Sequence, residues 1–205
     1  MTYPVLEEVQ TDLEPFHGQI RRIVQDAWAE WRTVQRFRSE QSMGSVLYSR
    51  TIANYVFDAI ARRAMMVFAA EPSVHVRTEA QTVKFFFKGS VLARFKKASD
   101  NGLGCNIPTQ AVLAFEDAEK CLPGLPPETA KVEFIWEPNE LWTQLENVLV
   151  VARDGDRLLW QYDIPAAGAG TVVALPLKPR GPSGTPSAPL ITPKKPKPDS
   201  ETREG

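Results

Sequence analysis

Apolar residues recur along the chain with two different periods. Phe16, Ile20, Ile23, Ala27, Trp31 and Val34 fall at steps of three and four, one stripe of a helix. The spacing predicts a helix from about Pro15 to Arg36, with Pro15 in a first turn that needs no N–H from it. The stretch RSEQSMGS breaks the pattern. Ser42 or Ser45 is then expected to cap a second helix carrying Val46, Ala53, Val56, Phe57, Ile60, Ala64, Val67 and Phe68, ended by Pro72. Together these make a helical pair over 15–71.

From Ser73 the period becomes two. VHVRTE, TVKFFFK and VLARFKKA read as three strands, and KVEFIW as a fourth after a helix opened by Pro108 or Thr109 and running to about Lys120. ENVLVVAR and DRLLWQYDI flank Asp154-Gly155, a preferred two-residue hairpin turn. That turn would pair Arg153 with Asp156, Val151 with Leu158 and Leu149 with Trp160, placing Leu149, Val151, Leu158 and Trp160 on one buried face. Sheet and helix would thus occupy 73–164. The Pro-, Ser- and Lys-rich segment 176–205 has almost nothing to bury and is expected to be disordered. The expected organisation is one α+β domain, 1–175, with the helical pair packed on a mostly antiparallel sheet.

Register decides what VKFFFKGSVLARFKK, residues 83–97, shows to its surroundings. A two-residue loop at Gly89-Ser90 would mix polar and apolar residues on both faces. A three-residue loop, Lys88-Gly89-Ser90, pairs Phe87 with Val91, Phe85 with Ala93 and Val83 with Phe95, leaving Thr82, Lys84, Phe86, Leu92, Arg94 and Lys96 opposite. The three-residue loop is the expected one. Phe86 and Leu92 among cations imply that this second face is itself covered, by a helix or by a partner.

Composition narrows the choices modestly. The 205 residues are 43% hydrophobic and 24% charged, as in soluble globular proteins, and the net charge of −1 gives bulk electrostatics no preference for nucleic acid or membranes. The N-terminus carries no basic region followed by an apolar run, and no apolar stretch has the length of a membrane span. Cys105 and Cys121 lack CxxC spacing, which suits a reducing cytoplasm. With His17 and His75 they include no ligand pair, so no metal and no cofactor is expected.

The chain has no phosphate loop, no GxSxG, no HExxH and no paired-carboxylate motif. The element order αβββαβ does match the restriction-endonuclease-like fold, either as a degenerate relative or only as a similar order of elements. In that fold a strand-borne Asp and a (D/E)xK hold Mg²⁺, whereas the equivalent stretch here, ARFKK, has no acid, and none occurs between Glu79 and Asp100. Nuclease chemistry is therefore not expected. Clustered Lys84, Arg94, Lys96 and Lys97 without acids remain a candidate footprint for a nucleic-acid backbone.

VLARFKKASDNGLGCNIPTQ, LPGLPPET and NELWTQLENVLVVARDGDRLLWQYDI together resemble a family of small bacterial proteins, over about residues 45–165. In that family an RFKK strand precedes an Asn-x-x-Thr loop, a Leu-Pro motif and a closing strand. The resemblance departs at FIWEP, which lacks a Gly-Tyr pair. It implies a gene neighbour of the helix-turn-helix type with an ImmA/IrrE-type metallopeptidase domain, in a Rosmer-like toxin–antitoxin or anti-phage module. It points to Arg94, Lys96, Lys97, Asn106 and Thr109 as site positions, and Lys84 joins them on the basic face. The expected function is a cytoplasmic, non-enzymatic component of such a two-gene module acting through that protein partner. The alternative is a nucleic-acid-binding protein or decayed nuclease using hairpin 83–97.

Overall fold

The computed structural model describes residues 3–46, 48–79 and 82–165. The expected disordered tail, 176–205, lies outside them. Among the described residues, four helices and six strands run α1 (Leu6–Leu13), α2 (His17–Glu40), α3 (Ser49–Ala69), β1 (Val74–Glu79), β2 (Thr82–Phe87), β3 (Val91–Lys97), α4 (Gln110–Glu116), β4 (Ala130–Pro138), β5 (Leu145–Asp154) and β6 (Arg157–Asp163). One sheet contains all the strands in chain order, every neighbouring pair antiparallel except β3 and β4. The α+β class and the mostly antiparallel sheet are as the sequence implies.

Local chemistry departs from the sequence reading at both ends of the helical pair. A helix already precedes Pro15: Glu7 and Glu8 occupy its first turn, where the helix dipole favours acids, and Val9 and Leu13 are buried. Pro15 sits in a single 3-10 turn, Glu14–Phe16, which redirects the chain into α2. Ser42 and Ser45 do not cap α3, which starts after Tyr48 with no side-chain cap. Ser42 instead closes α2. Its φ of 54° lets Met43 N–H reach Arg38 O at 2.8 Å and its own N–H reach Ser39 O at 3.1 Å, satisfying the last carbonyls.

The β2–β3 register is the one derived from the three-residue loop, with Phe87 opposite Val91 and Phe85 opposite Ala93. Lys88 and Gly89 both have positive φ, and Ser90 N–H closes the loop on Phe87 O at 3.0 Å. Phe85, Phe87 and Phe95 therefore face the helices. They join Phe16, Phe68 and Phe134 in edge-to-face and tilted pairs with centroids 5.1–6.4 Å apart. Helices α1–α3 cover this side of the sheet and share its principal core.

The last hairpin is corrected. Asp154 pairs with Arg157, so Gly155-Asp156 forms the turn, with Gly155 at φ 57° in its first central position. A bulge between Ala152 and Arg153 then sets Ala152 opposite Trp160 and Leu149 opposite Asp163. The expected single face splits: Leu149, Val151 and Leu158 pack with Ile135 and Leu103, while Trp160 packs against the helical side.

Candidate functional site: a buried charge cluster under α4

The parallel β3–β4 pair needs a crossover, and the chain uses it to lay α4 over the second face of the sheet. Thr109 starts α4 by accepting Val112 N–H on its hydroxyl at 3.2 Å. The helix is short, ending at Glu116 rather than near Lys120. Phe115 drops onto Phe86 and Leu92, with Leu122 and Leu125 beside it. That is the cover those two apolar residues required.

Beneath it the basic face becomes an ion-pair network. Register places Glu133 of β4 directly across from Arg94 of β3. Arg94 donates to Glu133 Oε1 from Nε at 3.0 Å and from Nη2 at 2.6 Å, and to Glu116 Oε1 at 3.3 Å. Its guanidinium lies 4.1 Å from the Phe115 ring centre. Arg153, from β5, approaches Glu116 Oε1 at 3.2 Å and Glu133 Oε2 at 3.6 Å. It also donates to Gly104 O and Gly155 O. Gly104 N–H donates to Glu133 Oε2 at 3.1 Å. Arg94 is 2% exposed and Glu133 0%. Burying charged groups this deep is costly unless each is paired and hydrogen-bonded, as these are.

The remaining candidates sit around this core in distinct roles. Asn106 donates its amide to Glu116 Oε1 at 2.7 Å, Gly104 O at 3.0 Å and Glu133 Oε1 at 3.2 Å, while its buried Oδ1 has no partner among the described residues. Lys84 is buried in a pair with Glu79, 2.8 Å away. Lys97 points to the other side of the sheet, where it donates to Ala98 O and lies 5.2 Å from the Trp142 ring. Lys96 is half-buried at the rim, with no hydrogen bond or ion pair to any described residue. Burial, with Arg94 adding to it, pulls its ammonium below the usual lysine range against the opposing pull of Glu133, Cys105 and Glu116.

The structure therefore brings Arg94, Lys96 and Asn106 together, leaves Lys84 and Lys97 in separate pairings, and uses Thr109 as a cap. Three members of the cluster escaped the sequence reading: Glu116, Glu133 and Arg153. The available signal was Glu133, a lone acid inside the apolar strand run VEFIW. The premise that hard-cation ligands are lacking also changes, because β4 and α4 deliver carboxylates that β3 does not carry. Those carboxylates are occupied. Both oxygens of Glu133 and the inward oxygen of Glu116 already accept guanidinium, amide or main-chain N–H groups. A divalent cation would have to displace two arginines, and the described residues include no cluster of three His, Cys, Asp or Glu placed to hold one.

Burial raises the Glu116 carboxyl above the ordinary carboxylate range, with Arg153 and Arg94 pulling the other way. A second buried lysine, Lys131, completes the support. Its ammonium donates to the carbonyls of Ala114, Asp117 and Lys120, tying the end of α4 to β4. No protein family, curated protein or solved structure matches the chain.

Proposed function

We propose that this protein is a non-catalytic component of a two-gene toxin–antitoxin or phage-defence module, acting in the cytoplasm by binding a helix-turn-helix/metallopeptidase-type partner. The observation that supports a protein partner over an anionic polymer is the internal neutralisation of Arg94 and Lys84. Arg94 and Lys84 face this chain's own carboxylates, which leaves an external phosphate no approach to them. To test it, each gene of the pair is expressed alone and together, with growth, plaque counts and complex formation measured. The reading requires a discrete complex and a growth or plaque phenotype that co-expression changes. No complex and no such change would overturn it.

A nucleic-acid reading, including descent from a nuclease of restriction-endonuclease-like topology, has one observation behind it. Lys96 is a rim cation with no partner among the described residues, two positions after Arg94 on the same face of the strand that the parallel crossover follows. It requires salt-sensitive binding to DNA or RNA that Lys96→Met weakens. Binding indifferent to that substitution would dismiss it.

A further inference from the structure

The helical pair is longer than the sheet needs. Trp31 is the last fully buried residue of α2, and the helix continues for nine more residues, about 14 Å at the standard rise. On α3 the first fully buried residue is Val56, so its first two turns also run beyond the principal contact. The described apolar residues of this outer end include two sets. Val34, Val46, Ile52 and Ala53 turn inward and pack on the core. Phe37, Met43 and Tyr48 turn outward and are 54%, 49% and 59% exposed. The fold has no use for the second set.

The charges around them have one sign. Residues 32–50 include Arg32, Arg36, Arg38 and Arg50 against a single acid, Glu40. Arg38 is held to the turn by Gly44 O at 2.9 Å, and the Arg50 guanidinium lies 5.0 Å from the Tyr48 ring centre. The turn that presents Met43 is itself fixed by the hydrogen bonds closing α2. Exposed Phe37, Met43 and Tyr48 alternating in the chain with arginines, of which Arg38 and Arg50 are held in place, have the composition of an interface centre, where Tyr, Phe, Met and Arg are enriched and lysine is depleted. No lysine lies in this stretch. Phosphate backbones call for freely reaching cations, whereas here three large apolar side chains are exposed among the arginines, and Arg38 and Arg50 are already engaged.

We propose that the outer end of the α2–α3 hairpin, with Phe37, Met43 and Tyr48 flanked by Arg36, Arg38 and Arg50, docks into an apolar groove edged by carboxylates on a protein partner. This rests on the protein-partner reading above and names the surface that serves it. The apolar side chains supply the area that binding removes from water, and the arginines supply orientation and a salt-dependent association rate.

The test is titration calorimetry of the full chain against the purified product of the adjacent gene. Wild type is compared with Phe37→Ser/Tyr48→Ser, with Arg36→Glu/Arg50→Glu, and with Leu141→Ser as an exposed control elsewhere on the surface. All four side chains substituted at the hairpin end are exposed, so thermal melts of the variants should match wild type and separate binding loss from unfolding. The expected result is affinity lowered at least about 30-fold by the apolar pair, and by about tenfold or more at low salt by the charge reversal, with the control unchanged. Wild type binding with both hairpin variants unimpaired would overturn the assignment of this surface and leave the partner reading intact. No binding by wild type would overturn both. Binding of a DNA or RNA duplex that the hairpin substitutions abolish would overturn the proposal in favour of nucleic acid.

Discussion

Replacing Glu133 with glutamine removes one negative charge from the centre of the cluster and almost no volume. In the native protein Glu133 accepts four hydrogen bonds, two from Arg94 and one each from Asn106 and Gly104 N–H, with Arg153 3.6 Å from its second oxygen. The glutamine oxygen can keep the Arg94 contacts, but its amide nitrogen then faces either Gly104 N–H or the guanidiniums, donor against donor. Arg94 and Arg153, 2% and 7% exposed, are left with Glu116 as their only buried carboxylate among the described residues. Removing one member of a buried ion pair costs about 3–5 kcal/mol, because the surviving charge stays desolvated. For a domain of this size that is a fall in melting temperature of about 6–20 °C, at about 2–4 °C per kcal/mol. Reversible urea unfolding of wild type, Glu133→Gln, Arg94→Met and the double variant gives both the cost and the coupling. The double variant should lose clearly less than the sum of the singles, since it removes the stranded charge along with its partner. A Glu133→Gln loss under about 1 kcal/mol, or strict additivity, would refute the view that these charges depend on one another.

Three further outcomes follow from the same geometry. Gly104→Ala places a Cβ 2.8 Å from the Glu133 carboxyl carbon, and that carboxylate is clamped by its partners, so the melting temperature should fall despite the higher intrinsic rigidity of alanine; an unchanged or raised value in differential scanning calorimetry would show that the loop yields. His17 accepts from or donates to the Tyr162 hydroxyl at 3.0 Å, and burial, opposed weakly by Glu14, pushes its pKa below the ordinary 6.5. Its contribution is therefore complete above about pH 6.5 and lost as pH falls through the lowered folded value, so His17→Gln should flatten that acid limb of stability, and an identical limb in a pH-dependent melting series would contradict the assignment. Lys131→Met leaves three carbonyls at the end of α4 without their ammonium, and hydrogen exchange should become faster by tenfold or more at residues 112–117, about the effect of losing one charged hydrogen bond, with β1 and β2 unaffected; uniform exchange changes would count against a local cap.

Much of the architecture was legible because it rests on local alternation. The hairpin 83–97 has one register that separates its phenylalanines from its cations, and Gly89 supplies the loop geometry that register needs. The need to cover Phe86 and Leu92 was legible too, although not that Phe115 would do it. The first helix was not, because Pro15 looks like a helix start when it is a joint between two helices, and the spacing of Val9 and Leu13 continues the same stripe upstream. The final hairpin misled for a related reason: Asp154-Gly155 is a good turn by itself, but the chain turns one residue later, and the bulge beside Arg153 then shifts the pairing of the rest of the hairpin. The charge cluster depended on contacts 22 and 39 residues apart in sequence, fixed only once β4 lies parallel to β3. A basic strand read without its neighbours shows only its cations. The counter-charges of Arg94 arrive with α4 and β4.

The most direct measurement is of the Arg94 side chain itself. In ¹⁵N-labelled protein the Arg94 Nε–H, buried and donating to Glu133, should give a sharp, slowly exchanging resonance that disappears in Arg94→Met. It should hold its position as single- or double-stranded oligonucleotides are added at low salt. A rapidly exchanging Arg94 signal, or one that shifts as nucleic acid is added, would mean that the basic strand is open to an anionic partner and that its charge is not spent inside the protein.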